Sequence, residues 1–368
     1  MLLSDLDFDL PGELIAQTPV EPRESARLLH LDRATGELEH ATMRDFPRYL
    51  RPGDLLVFND TRVLRARLLG ARQSGGRVEA LLLEEEAPNR WRALLKPSSR
   101  LKVGEVVAFD DVSAQLVARD GAGWIVAFQT PDGDDVRGYL ARIGQVPLPP
   151  YIRQEASEER YQTTFARADA RVEGRALDSA AAPTAGLHFS PWLFDRLRER
   201  GVEWTFVTLA VGTGTFAPVK TQNLDEHEMH AERYFVPDEP AARINAQRAR
   251  GERVIAVGTT SVRTLESAVE NGQLQSGWGE TRLFLRPGAR FEMVDALLTN
   301  FHLPRSTLLA LVAAFVEVKA PIGKNLASSS NGENDSIGWG LSLVRAAYRE
   351  AIAKRYRFFS FGDAMFLE

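Results

Sequence analysis

Leu55-Leu56-Val57-Phe58-Asn59-Asp60-Thr61-Arg62 sets four apolar residues directly against four polar ones. An unbroken apolar run of this kind reads as a buried strand covered on both faces. The same arrangement recurs downstream. Residues 204–211 read as a strand ending in Gly212-Thr213-Gly214-Thr215, and residues 254–257 empty into Gly258-Thr259-Thr260-Ser261 and a helical stretch carrying Arg263. Residues 297–303 precede an apolar helix that reaches Phe315. Further helical patterns cover 191–200, 239–250 and 341–355. Strand and helix in alternation predict a layered α/β main domain. Ahead of it, a short capped helix at 9–16, a hairpin pairing 27–31 with 37–40, and a helical stretch at 42–50 are expected.

The composition changes after Arg62. Residues 62–102 carry ten Lys or Arg against four Glu, a local balance of +6. Short strand-like segments at 78–83, 91–95, 106–109, 114–118 and 124–128, without long helices between them, predict a small antiparallel β-barrel inserted in the chain. Pro147-Leu-Pro-Pro-Tyr151 reads as a stiff return linker. The expected domains are therefore 1–64 together with 152–368, interrupted by a barrel at 65–151. A Ser/Asn/Gly-rich run between about 317 and 340 has the composition of a surface loop.

The 368 residues contain no cysteine, which removes disulfides, thiolate metal sites, iron–sulfur clusters and thiol nucleophiles. A net charge of −5 argues against uniform coating of a nucleic acid, so such a partner needs a local basic patch. No apolar stretch is long enough to span a bilayer, and Asp5, Asp7 and Asp9 stand where a signal peptide has basic residues. A cytoplasmic monomer is expected.

Candidate chemistry gathers in several places. Ala181 to Phe189 combines Pro183, Thr184, Gly186 and His188; it reads either as a site or as a strand-to-helix loop with a satisfied histidine. Gly258-Thr259-Thr260-Ser261 can present N–H groups and hydroxyls to a carboxylate or phosphate, or can simply cap a helix. His227 and His230 share a face if that segment is helical. With no zincin pattern, proton transfer suits them better than a metal, and one of the two can equally be a surface histidine. His302, beside Asn300, is either catalytic or structural, and His30 and His40 fall in the hairpin as surface residues. The barrel's Arg and Lys form either a solvated face or an RNA contact. The absence of Gly-x-Ser-x-Gly argues against serine hydrolysis.

Taken together these stretches resemble the S-adenosylmethionine:tRNA ribosyltransferase-isomerases of queuosine biosynthesis. The likeness runs through Phe8-Asp-Leu-Pro-Gly-Glu-Leu-Ile-Ala-Gln17, Phe58-Asn-Asp-Thr-Arg62, Pro147-Leu-Pro-Pro-Tyr151, Tyr161-Gln-Thr163 and Ala182-Pro-Thr-Ala-Gly-Leu-His-Phe189. It continues over Val211-Gly-Thr-Gly-Thr-Phe216, His227-Glu-Met-His230, Val257-Gly-Thr-Thr260, Leu298-Thr-Asn-Phe-His-Leu-Pro304 and Phe361-Gly-Asp-Ala-Met365. Two stretches depart from it: the polar run after Phe315 stands where a shorter connection is expected, and Leu177-Asp178-Ser179 where a small apolar lead-in is expected.

The resemblance implies transfer and isomerisation of the ribosyl group of S-adenosylmethionine onto a 7-aminomethyl-7-deazaguanine base in tRNA, giving epoxyqueuosine, adenine and methionine. S-adenosylmethionine is then a co-substrate, with no prosthetic group and no metal. His188, His227, His230, His302 and Asp60 become candidate catalytic residues. Arg62, Thr184, Gly212, Thr213, Thr215, Glu232, Gly258, Thr259, Thr260, Ser261, Arg263 and Asn300 become substrate-binding candidates, and Arg65, Arg67, Arg92 and Lys96 RNA-binding ones. Two rival readings are an S-adenosylmethionine-dependent RNA methyltransferase, which lacks its Gly-x-Gly turn here, and a non-catalytic RNA-binding module.

Overall fold

The computed structural model describes residues 1–153, 158–168, 171–212, 219, 221–318 and 338–368. Its larger sheet runs Gly277–Thr281, Glu232–Val236, Glu203–Leu209, Leu55–Asn59, Val254–Val257, Ala296–Asn300, Ala364–Leu367, Arg27–Leu31, Leu38–Thr42. The four strands from Glu203–Leu209 to Ala296–Asn300 are parallel. Side-chain alternation splits them between two cores. Leu55, Val57, Ala256 and Leu297 pack with residues of helices Thr259–Ser267, Thr307–Glu317 and Trp339–Ala353 on one face. Leu56, Phe58, Val257 and Leu298 pack with helix Pro191–Glu199 and the 3-10 segment Met43–Tyr49 on the other. Burial on both faces explains the absence of polar alternation in 55–58, and the layered α/β expectation is met.

The second sheet closes on itself as an antiparallel barrel. Arg67–Arg72, Arg77–Ala87, Arg90–Lys96, Gly123–Gln129, Val112–Asp120 and Val106–Phe109 follow in order, and the last pairs back with the first. Gly144–Gln145 adds to Arg67–Arg72. Trp91, Trp124, Phe109 and Phe128 fill the interior. Strand Arg67–Arg72 escapes the sequence pattern because Gly70 interrupts it. That glycine permits closure: a Cβ there would lie 2.3 Å from the Ala108 carbonyl oxygen.

Three expectations change. The stretch at 9–16 holds only the 3-10 turn Gly12–Leu14, and that at 42–50 is the 3-10 segment Met43–Tyr49, since Pro47 lies inside it and donates no hydrogen bond. His30 is not a surface residue: it stacks on Phe366 and lies 3.0 Å from the Glu368 carboxylate. The Ser/Asn-rich run from 319 to 337 lies outside the described residues.

Candidate active site

The four parallel strands end on one edge of the sheet, the place where open α/β sheets receive ligands. Alternation puts Asp60, Thr208 and Asn300 at that edge on the face shared by Leu56, Phe58 and Leu298. Asp60 accepts a hydrogen bond from Thr208 Oγ1 at 2.6 Å, and Arg167 Nη1 lies 4.0 Å from its carboxylate. Arg167 Nη1 also donates to Thr208 Oγ1 at 3.3 Å, while Arg62 Nη1 holds the Arg167 carbonyl at 3.2 Å. Burial dominates over these favourable contacts and raises the Asp60 pKa to about 6.

Behind Asp60 the chain is locked by a polar zipper. Asn59 Oδ1 accepts from the Thr61 and Leu209 amides, and Thr61 Oγ1 lies 2.7 Å from Ser179 Oγ. Ser179 Oγ in turn accepts from the Val211 amide at 2.8 Å. Asp178 beside it meets Arg137 of the barrel at 2.6 Å. The unusual lead-in at 177–179 therefore ties the first polar strand end to the second, and the barrel to both.

His188 closes the 3-10 turn Thr184–His188, which Thr184 opens. This turn needs Gly186, because a Cβ there would approach Phe165 Cζ to 2.7 Å. His188 is 5% exposed, and its Nε2 lies 3.3 Å from Asn300 Nδ2, which also donates to the Phe359 carbonyl at 3.1 Å. With Asn300 as donor, Nε2 is the acceptor and Nδ1 carries the hydrogen. Burial first, then the charges of Arg357 and Arg23, depress its pKa to about 3, so the imidazole is neutral at physiological pH. Asn300 Oδ1 is buried without a partner among the described residues. Strand Val254–Val257 lies between Asp60 and Asn300, so the two are two strand spacings apart, roughly 10 Å.

That middle strand ends in Gly258 at φ +91°, and a Cβ built there would lie 3.6 Å from Ala185 Cβ, so the His188 turn packs on this one. Ser261 Oγ turns inward to the Val257 carbonyl, while Thr260 Oγ1 is buried with no partner among the described residues. Thr259 begins the helix. Nearby, Glu232 accepts from the Gly212 amide at 3.1 Å and from Arg263 Nη1. Arg263, 4% exposed, donates its Nε to the Leu283 carbonyl, and its Nη2 has no partner among the described residues.

The remaining candidates lie elsewhere. His302 bonds Thr299 Oγ1 at 3.0 Å, and Tyr348 holds its amide. Thr299 alternates with Asn300, so this histidine belongs to the opposite face of the sheet from His188. Burial lowers its pKa to about 3. The segment at 227–231 is not helical; His227 sits edge-on to Phe284 and His230 is exposed. Partial burial and the neighbouring His230 lower the His227 pKa. Thr213 and Thr215 fall outside the described residues. On the barrel, Arg67 is bonded to Glu79, Arg92 to Asp120 at 2.6 Å, and Arg65 to the Gly144 carbonyl; Lys96 is exposed. Among the described residues no group of three His, Cys, Asp or Glu is placed to hold a metal ion.

The model of the queuosine biosynthesis protein family matches residues 3–323 and 338–367. The chain belongs to that family. It is 50% identical to the S-adenosylmethionine:tRNA ribosyltransferase-isomerase of Anaeromyxobacter sp. (strain Fw109-5), covering all of this chain and 99% of that protein. It is also 50% identical to the enzyme of the same name from Symbiobacterium thermophilum, covering both chains fully. The crystal structure of S-adenosylmethionine tRNA ribosyltransferase from Thermotoga maritima aligns with 99% of this chain and all of its own, at a TM-score of 0.54 and 36% identity. Against this family frame, sequence reasoning missed Thr208, Arg167 and Ser179. Thr208 carried a partial signal, as a hydroxyl close to the polar end of a buried strand.

Proposed function

We propose that this chain transfers and isomerises the ribosyl group of S-adenosylmethionine onto 7-aminomethyl-7-deazaguanine at the wobble position of tRNA, forming epoxyqueuosine and releasing adenine and methionine. The observation that carries this is one sheet edge at which Thr208 holds Asp60 and Asn300 meets His188, two proton-handling groups, in a chain that is 50% identical to such enzymes over its full length. A sulfonium acidifies the hydrogens on the adjacent 5′-carbon. Asp60, ionised above about pH 6, is the base matched to remove one. His188 is neutral and offers Nδ1–H as a hydrogen-bond donor to the departing adenine, which eases loss of that base. Arg263, enclosed and with an Nη2 that has no partner among the described residues, together with the Gly258–Thr260 turn, receives the methionyl carboxylate.

Residues 1–64 and 152–368 then act as the catalytic unit and 65–151 as an inserted barrel, in a cytoplasmic monomer. Incubation with S-adenosylmethionine and a tRNA bearing the aminomethyl-deazaguanine base tests the reading. Adenine and methionine as products support it, and S-adenosylhomocysteine replaces it with methyl transfer.

A further inference from the structure

A small surface cleft opens beside His188 and is lined by Arg23, Arg160, Leu187, His188, Phe361 and Gly362 among others. Asp60, Glu232, Arg263 and the Gly258 turn are not among its walls. We infer that this cleft is an RNA-phosphate site, in which Arg23 and Arg160 hold a backbone phosphate next to the nucleotide whose base enters at His188. This rests on the tRNA-modifying reading above.

Three observations support it. First, Arg23 has no carboxylate partner among the described residues; its guanidinium donates only to the carbonyls of Leu187 and Glu159. Burial lowers its pKa, so the protein holds a charge there without offsetting it. Second, Arg160 is fixed by the Val20 carbonyl and pairs with Glu21, whose side chain is 72% exposed, and its buried Nε has no partner among the described residues. A water-exposed pair of this sort is weak and exchangeable. Third, two of the barrel arginines are held by more than a single contact: Arg67 bidentately by Glu79, and Arg92 among Glu84, Glu86 and Asp120.

The source of the anion follows from access. The methionyl carboxylate is small and suits the enclosed Arg263. A cleft open to solvent with two fixed guanidinium groups suits a polyanion arriving from outside.

The test uses the full chain and an unmodified anticodon stem–loop RNA, with affinity measured across a salt series. Each lost phosphate contact lowers the salt slope by roughly 0.7–0.9. Arg23→Gln with Arg160→Gln is expected to flatten the slope by at least that amount and weaken binding about tenfold at low salt, with KM for S-adenosylmethionine unchanged. Arg23→Lys, which keeps the charge, is expected to retain most of the slope and serves as the check on folding. An unchanged slope overturns the inference, and so does a raised KM for S-adenosylmethionine with RNA binding intact, which would make the anion the methionyl carboxylate. The functional reading fails separately, if the unaltered protein releases no adenine.

Discussion

Replacing Thr208 by Val removes the hydroxyl that donates to Asp60 and accepts from Arg167 Nη1, at a position that is 1% exposed and with a side chain of similar volume. Its Oγ1 donates to the carboxylate at 2.6 Å. A hydrogen bond to an ionised group contributes about 1.5–3 kcal/mol, and about 1.4 kcal/mol corresponds to one pKa unit. The bond favours the charged form, so its loss moves the Asp60 pKa upward, from about 6 to about 7 on the lower figure. If Asp60 acts as base, the ionised fraction at pH 6 falls from about one half to about one tenth, and kcat/KM for adenine release falls about fivefold. Near pH 8.5 both proteins are almost fully ionised and the rates converge to within about 10%. The assay is kcat/KM for adenine release between about pH 5 and about pH 9, fitted for the acid limb. A limb that stays in place, or a loss of equal size at every pH, refutes the assignment of Asp60 as the titrating base.

Asp60→Asn is expected to abolish turnover and yet stabilise the fold. The folded pKa of about 6 lies above the ordinary 3.8, so the stability contributed by the protonated form is present below about pH 4 and lost as pH rises through about 6. About two units correspond to about 3 kcal/mol, and urea denaturation should show the variant more stable by up to that amount at pH 8 and equal to the unaltered protein near pH 4; a lower midpoint at pH 8 contradicts this. Glu232→Ala leaves the Arg263 guanidinium buried without its counter-ion, and denaturant unfolding at neutral pH should register a loss of about 3–5 kcal/mol. A loss below about 1 kcal/mol would mean that water or the neighbouring chain satisfies the charge instead.

Much of the fold is visible in the sequence wherever burial is two-sided. The runs 55–58 and 254–257 have no polar alternation because helices cover both faces, and their polar ends mark the ligand edge. The barrel is legible from five of its strands, but Arg67–Arg72 is hidden by Gly70, which is there to let strands approach rather than to pattern them. The terminal strand Ala364–Leu367 is equally hidden. It is four residues long and set off from the Phe358–Phe361 run only by Gly362-Asp363, and pairing with Ala296–Asn300 and Arg27–Leu31 defines it.

The site is legible in its residue types and not in its partnerships. His188 and His302 look alike along the chain, yet one residue of strand alternation, Asn300 against Thr299, sends them to opposite faces. Arg67 and Arg92 read as free cations because their carboxylate partners lie on neighbouring strands or beyond them. Arg23 passed unnoticed for the converse reason: nothing in sequence shows that a cation has no carboxylate partner among the described residues.

The claim on which the account depends most is that His188 works beside Asp60 at one edge of the sheet. Single-turnover adenine release by His188→Ala, measured with saturating S-adenosylmethionine and tRNA and with folding checked by thermal melting, tests it directly. The account predicts a rate about 10²–10⁴-fold below that of the unaltered protein. A rate equal to it would contradict the account.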